Sequence, residues 1–154
     1  MTRVLAFATA PPRTSALGPY VTEIVAMDGE VRMACWFDPA GAAPDCGLVE
    51  VRRIAAGQQQ ADATSSGRRL RWRRGRTNAG SDAADPATRR WHDARDDPWV
   101  AHEADATDFF VALDQDAVYP VWVLARAHPG VRASFGLHAV ISALSGRSTL
   151  TDGR

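Results

Sequence analysis

The chain has 154 residues, 45% of them hydrophobic, which suits one domain with a core of its own. Its 18 basic residues, all Arg, balance 18 acidic ones, so no overall charge draws it to nucleic acid or to an anionic membrane. No run approaches the ~18 apolar residues of a membrane span, and no transmembrane segment is expected.

The run RVLAFATA (Arg3 to Ala10) is continuously apolar, the pattern of a strand covered on both faces. It has the apolar stretch of an export signal at its minimum length, but Pro11 would directly follow the cleavage point, so a buried first strand is the better reading. From Leu17, apolar residues recur at Val21, Ile24 and Val25, which is helical spacing. Pro19 falls near the start of this helix, and Asp28-Gly29 ends it with a residue able to take positive φ. Val31 to Phe37 reads as a second strand, Asp38 to Gly47 as a loop, and Leu48 to Ile54 as a more marginal third strand.

Between residues 55 and 84 almost no large apolar side chain occurs apart from Leu70 and Trp72. Such a segment buries too little to order itself, and a flexible Arg-rich insertion is expected. Six Arg surround Trp72 in RRLRWRRGR (Arg68 to Arg76), a pattern suited to phosphate contacts and base stacking; a solvated arm offset by the acids elsewhere is the simpler reading, and no nucleic-acid partner is expected. Order returns with a helix at Ala87 to Arg95 and a short one capped by Asp97 with Pro98 at its first position. Asp108 to Asp114 is a fourth strand, Ala117 to His128 a helix, Val131 to Gly136 a fifth strand and Leu137 to Ser145 a last helix. The polar tail, residues 147–154, is expected to fray.

Alternating apolar strands and helices predict an α/β fold: a single Rossmann-like doubly wound domain with a mostly parallel sheet of about five strands. Residues 1–54 and 85–146 would form its two parts. Ligands of such sheets bind outside the carboxyl ends of the strands, near the topological switch point. Four segments should gather there: APPRTS, FD with Asp38, LDQDAVY with Asp114, Asp116 and Tyr119, and FGLH with His138.

Within LDQDAVY, Asp116 stands where a helix N-cap belongs. Asp114 needs no such role and has the stronger functional claim; it or His138 could position or deprotonate a hydroxyl. Arg13 could fork onto a phosphate at a helix start, although Pro11 and Pro12 remove two N–H donors. No dinucleotide or P-loop glycine pattern is present, so no nucleotide cofactor is expected. His92 and His102 lie ten residues apart, not a metal-ligand spacing, and no metal is expected. Cys35 and Cys46 form no C-x-x-C pair, in keeping with a reduced, cytoplasmic chain.

The opening RVLAFATAPPRTSALGPYVTEIVAMDGEVRMACWFDP resembles the start of retaining glycosyltransferases of the GT-B type. ADATDFFVALDQDAVYPVWVLAR resembles the strand of the same domain that ends in a polar loop before a helix. DPWVAHEADATDFFVALD looks like actinobacterial glycosyltransferase-like proteins. The resemblance covers residues 3–54 and 90–140. It implies an acceptor-side Rossmann-like half, with Pro12, Arg13 and Thr14 holding a sugar or lipid-linked acceptor. Asp114 and Asp116 fall on the family's strand-end loop. The family keeps its nucleotide-sugar in a second domain, so a second domain or chain would supply that site. The expectation is an acceptor-binding domain not competent for sugar transfer alone. A non-enzymatic Rossmann-like binding or protein-interaction module is the alternative.

Overall fold

The computed structural model describes residues 1–39, 49–55 and 85–151, the side chains of residues 14, 15, 49 and 147–151 excepted. The Arg68 to Arg76 arm and nearly all of the predicted insertion lie outside the described residues. Five strands alternate with helices: β1 (Thr2–Ala8), α1 (Thr14–Ala26), β2 (Gly29–Cys35), β3 (Val49–Arg53), α2 (Pro86–Asp96), α3 (Pro98–Asp105), β4 (Phe109–Ala112), α4 (Val118–Ala127), β5 (Arg132–Phe135) and α5 (Leu137–Thr151). They form one sheet in the order β3-β2-β1-β4-β5, with every neighbouring pair parallel. The predicted α/β, Rossmann-like doubly wound sheet of five strands is therefore the observed one.

The order explains the layers. From β1 the chain steps outward to β2 and β3, then returns to place β4 on the other side of β1. Right-handed crossovers running in opposite directions put their helices on opposite faces. The core divides accordingly. Val4, Ala6, Phe109 and Val111 pack with Val21 and Ile24 of α1 and with Val140, Ile141 and Leu144 of α5. Leu5, Phe7, Phe110 and Ala112 pack with Ala94 of α2, Trp99 and Val100 of α3, and Val121 and Leu124 of α4. The continuous apolar run of β1 is thus a strand whose alternate side chains enter two different cores, and Val4 through Ala8 are all buried.

Local details differ from the sequence expectation. Helix α1 begins at Thr14, one turn ahead of the apolar repeat that starts at Leu17, so Pro19 sits in its second turn, where the ring lacks the donor for an i→i−4 bond. Asp28, not Gly29, takes the left-handed conformation (φ 59°). Gly29 is needed for space: a Cβ there would lie 2.5 Å from Ile24 Cγ2 and 2.7 Å from its carbonyl oxygen. Helix α5 continues to Thr151, through residues expected in the tail.

Candidate functional site

The parallel sheet brings the carboxyl ends of all strands to one edge. β1 runs out through Thr9 to Arg13, β2 through Trp36 to Asp38, β4 through Leu113 to the 3-10 turn Gln115–Ala117, and β5 through Gly136 into α5. Gly136 makes that last turn with φ 75°, and its N–H donates to Ala112 O at 2.9 Å. The switch point lies between β1 and β4, where chain direction across the sheet reverses.

Asp114 stands at that crevice and spans it. One carboxylate oxygen, Oδ2, accepts from Thr9 N at 2.6 Å and from Ala10 N at 3.3 Å. The other, Oδ1, accepts from Thr9 Oγ1 at 2.9 Å and from Ala117 N at 3.0 Å. Both oxygens are occupied, and the two loops that would open around a ligand are tied together by one side chain. The cap assignment made from sequence is therefore corrected. Asp114 caps the turn that leads into α4, because that turn starts one residue after it. Asp116 lies inside the turn, exposed, where it pairs with Arg90 of α2 at 3.3 Å.

The other predicted residues are brought to the same edge without converging on one group. Arg13 is exposed at the N-cap position of α1; its side chain makes no cap bond, while its carbonyl accepts from Ala16 N at 2.9 Å. Pro12 is half-buried, and Thr14 opens α1. Asp38 is exposed after β2. His138 is exposed at the second position of α5, and its carbonyl accepts from Ser142 Oγ at 3.1 Å. Asp114 bonds to Thr9, Ala10 and Ala117, and His138 is not among its partners. Tyr119 is the second residue of α4, 40% exposed, with its ring 6.2 Å from Trp122. Among the described residues no cluster of His, Cys and carboxylates could hold a metal ion, and no helix is long and apolar enough to cross a membrane.

Two features escaped the sequence reading. One is a charge cluster away from the strand ends. Arg32 on β2 contacts Glu30 (2.6 Å), Glu50 on β3 (3.3 Å) and the buried Glu103 on α3 (2.7 Å). The hydrogen bond to Glu30, opposed by burial and aided by the charges of Glu103, Glu30 and Glu50, raises the pKa of this guanidinium. The alternation of Glu50 and Arg52 with Val49 and Val51 was the available signal. It marks a strand carrying charges on one face: Glu50 contacts Arg32 and the Arg52 guanidinium lies 5.6 Å from the Trp99 ring centre.

The other is an apolar groove between α4 and β5. It holds about 210 Å³ and is lined by Ala112, Val118, Val121, Trp122, Ala133, Ser134 and Phe135. Trp122 is 50% exposed and Phe135 61% exposed, and Arg126 stacks on Trp122 at 4.9 Å. Of the other described tryptophans, Trp99 is buried and Trp36 and Trp91 pack against the core. Apolar periodicity marks residues such as Trp122 and Phe135 as core and cannot show that no described element covers them.

Comparison with protein-family models gives no match, and comparison with curated proteins gives none either.

Proposed function

We propose that this chain is a non-enzymatic Rossmann-like binding module that works by docking another protein surface. The observation that carries the reading is the state of Asp114. Its two oxygens accept four hydrogen bonds from the protein itself, where a strand-end ligand or acceptor hydroxyl would have to bind. The exposed aromatic face of Tyr119, Trp122 and Phe135 supports the docking half, since exposed apolar patches of this kind mark interaction sites. The test is a thermal-shift panel of nucleotides, nucleotide-sugars and simple glycosides. The module reading predicts no shift with any of them. A ligand at ~100 times its Kd stabilises by roughly 2.7 kcal/mol, so a shift of several degrees would overturn the reading.

A second reading keeps the resemblance to GT-B glycosyltransferases: an acceptor-binding half that needs a nucleotide-sugar site from elsewhere. What favours it is the parallel order with Arg13 and His138 both exposed at the carboxyl edge. With Asp114 occupied, the base role falls to His138, and Arg13 would take an anionic group of a lipid-linked acceptor. A glycoside-induced shift that disappears in Arg13→Ala and His138→Ala would establish this reading in place of the first.

A further inference from the structure

We infer that the partner docked by the α4–β5 face is a second copy of this chain, joined edge to edge through β5 about a twofold axis at Ser134. The inference rests on the binding-module reading and names its partner.

Strand β5 ends the sheet, and among the described residues no strand pairs with its outer side. It pairs with β4 in parallel, matching Arg132 to Phe109, Ala133 to Phe110, Ser134 to Val111 and Phe135 to Ala112. Arg132 N donates inward to Asp108 O and Gly136 N inward to Ala112 O. Strand alternation then turns the N–H and C=O of Ala133 and Phe135 outward, along the free edge. A short edge with outward donors and acceptors is a template for another strand.

The chemistry of this edge is self-complementary. In an antiparallel pairing about a twofold, faces are preserved only when residues of equal parity oppose one another. Centred on Ser134, the pairing sets Ala133 against the partner's Phe135 and Phe135 against the partner's Ala133. Those are the residues with outward backbone groups, so each pair exchanges two hydrogen bonds. Ser134 then meets the partner's Ser134 in the closer, non-hydrogen-bonded position. Ser134 Oγ is buried and has no hydrogen-bond partner among the described residues. A facing hydroxyl across the axis would supply one, as Ser and Thr do across strands.

The same operation makes the apolar grooves continuous on one face of a ten-stranded sheet. Phe135, Trp122 and Tyr119 of both copies would cover one another. A fully buried aromatic removes roughly 150–250 Å² from water, so their present exposures leave about 300 Å² per copy to bury. With the strand edges added, the total approaches the ~1,000 Å² of a small specific interface, which predicts micromolar rather than tighter association. The guanidinium of Arg132 does not oppose it. Four residues of strand separate Arg132 from the partner's Arg132, about 14 Å, beyond the ~8 Å screening length of physiological salt.

The experiment is sedimentation velocity over a roughly hundredfold concentration range that spans micromolar values, joined to cysteine cross-linking. Wild-type protein should pass from one to two monomer masses. Ala133→Pro, which removes an outward N–H and leaves the β4 ladder intact, should stay monomeric, with the Tm of wild-type protein diluted to its monomeric range. In a Cys46→Ser background, Ser134→Cys should form a disulfide-linked dimer under mild oxidation, because the close pair sits within disulfide reach. Arg132→Cys should not. Wild-type protein that stays monomeric throughout, or Ser134→Cys that cross-links no faster than Arg132→Cys, overturns the inference. That failure leaves the binding-module reading standing with a different protein as its partner, whereas a nucleotide-sugar or glycoside shift removes the module reading itself.

Discussion

Asp114→Ala is the substitution that separates a structural carboxylate from a catalytic one. It removes the cap on Ala117 N, worth about 1 kcal/mol. It also removes the charge-assisted bonds from Thr9 N and Thr9 Oγ1, together about 2 kcal/mol once discounted for partial exposure. The longer bond to Ala10 N, 3.3 Å at an exposed position, adds little because water replaces it. The sum is about 3 kcal/mol, which in a chain of this size lowers Tm by roughly 6–12 °C. Asp114→Asn should fall between, since one oxygen is kept while its NH2 faces a donor. Thr9→Val in the Asp114→Ala background should cost less than in wild type, because the two residues share a bond. Differential scanning calorimetry of wild type and the four variants reads this directly. An Asp114→Ala protein melting within about 1 °C of wild type would refute the staple.

Three further outcomes follow from the same geometry. Arg32→Met strands the buried Glu103 and should cost about 2–3 kcal/mol by urea denaturation, with Arg32→Met/Glu103→Leu recovering most of it. Burial, only partly offset by the hydrogen bond to the Phe37 carbonyl, pushes the Cys35 thiol up, so iodoacetamide at mildly alkaline pH should leave it unmodified until the fold opens. The folded pKa of that thiol exceeds its unfolded value, so its contribution is complete below about pH 8.5 and is lost as pH rises through the folded value; Cys35→Ala should flatten the alkaline decline in Tm. Asp97→Ala removes the acceptor of Trp99 N and Val100 N at the start of α3 and should lower stability by about 1 kcal/mol in the same denaturation assay.

The fold was legible because its signals are local and repeated. The apolar run of β1, the Asp97-Pro98 start of α3 and the FFVA core of β4 each state their structure within a few residues, and their alternation implies the parallel sheet. The strand-end site was legible only as a location. Asp114 and Asp116 differ by two positions in sequence, and whether the helical turn begins after the first or the second decides which one caps. That choice is made by Thr9 and Ala10, more than a hundred residues earlier in the chain. The Arg32 cluster likewise depends on Glu103 reaching β2 from α3. The α4–β5 groove left no sequence signal, because Trp122 and Phe135 look like core until the layers show that no described element covers them.

The most direct test of the account is amide-resolved NMR on one sample, recorded with a nucleotide-sugar and then on dilution without it. The account predicts that the nucleotide-sugar moves no resonance among residues 9–14 and 113–119. Dilution should instead move Ala133, Ser134, Phe135 and Trp122. Saturable shifts at Thr9, Ala10 and Asp114 with nucleotide-sugar, and none at β5 on dilution, would contradict it.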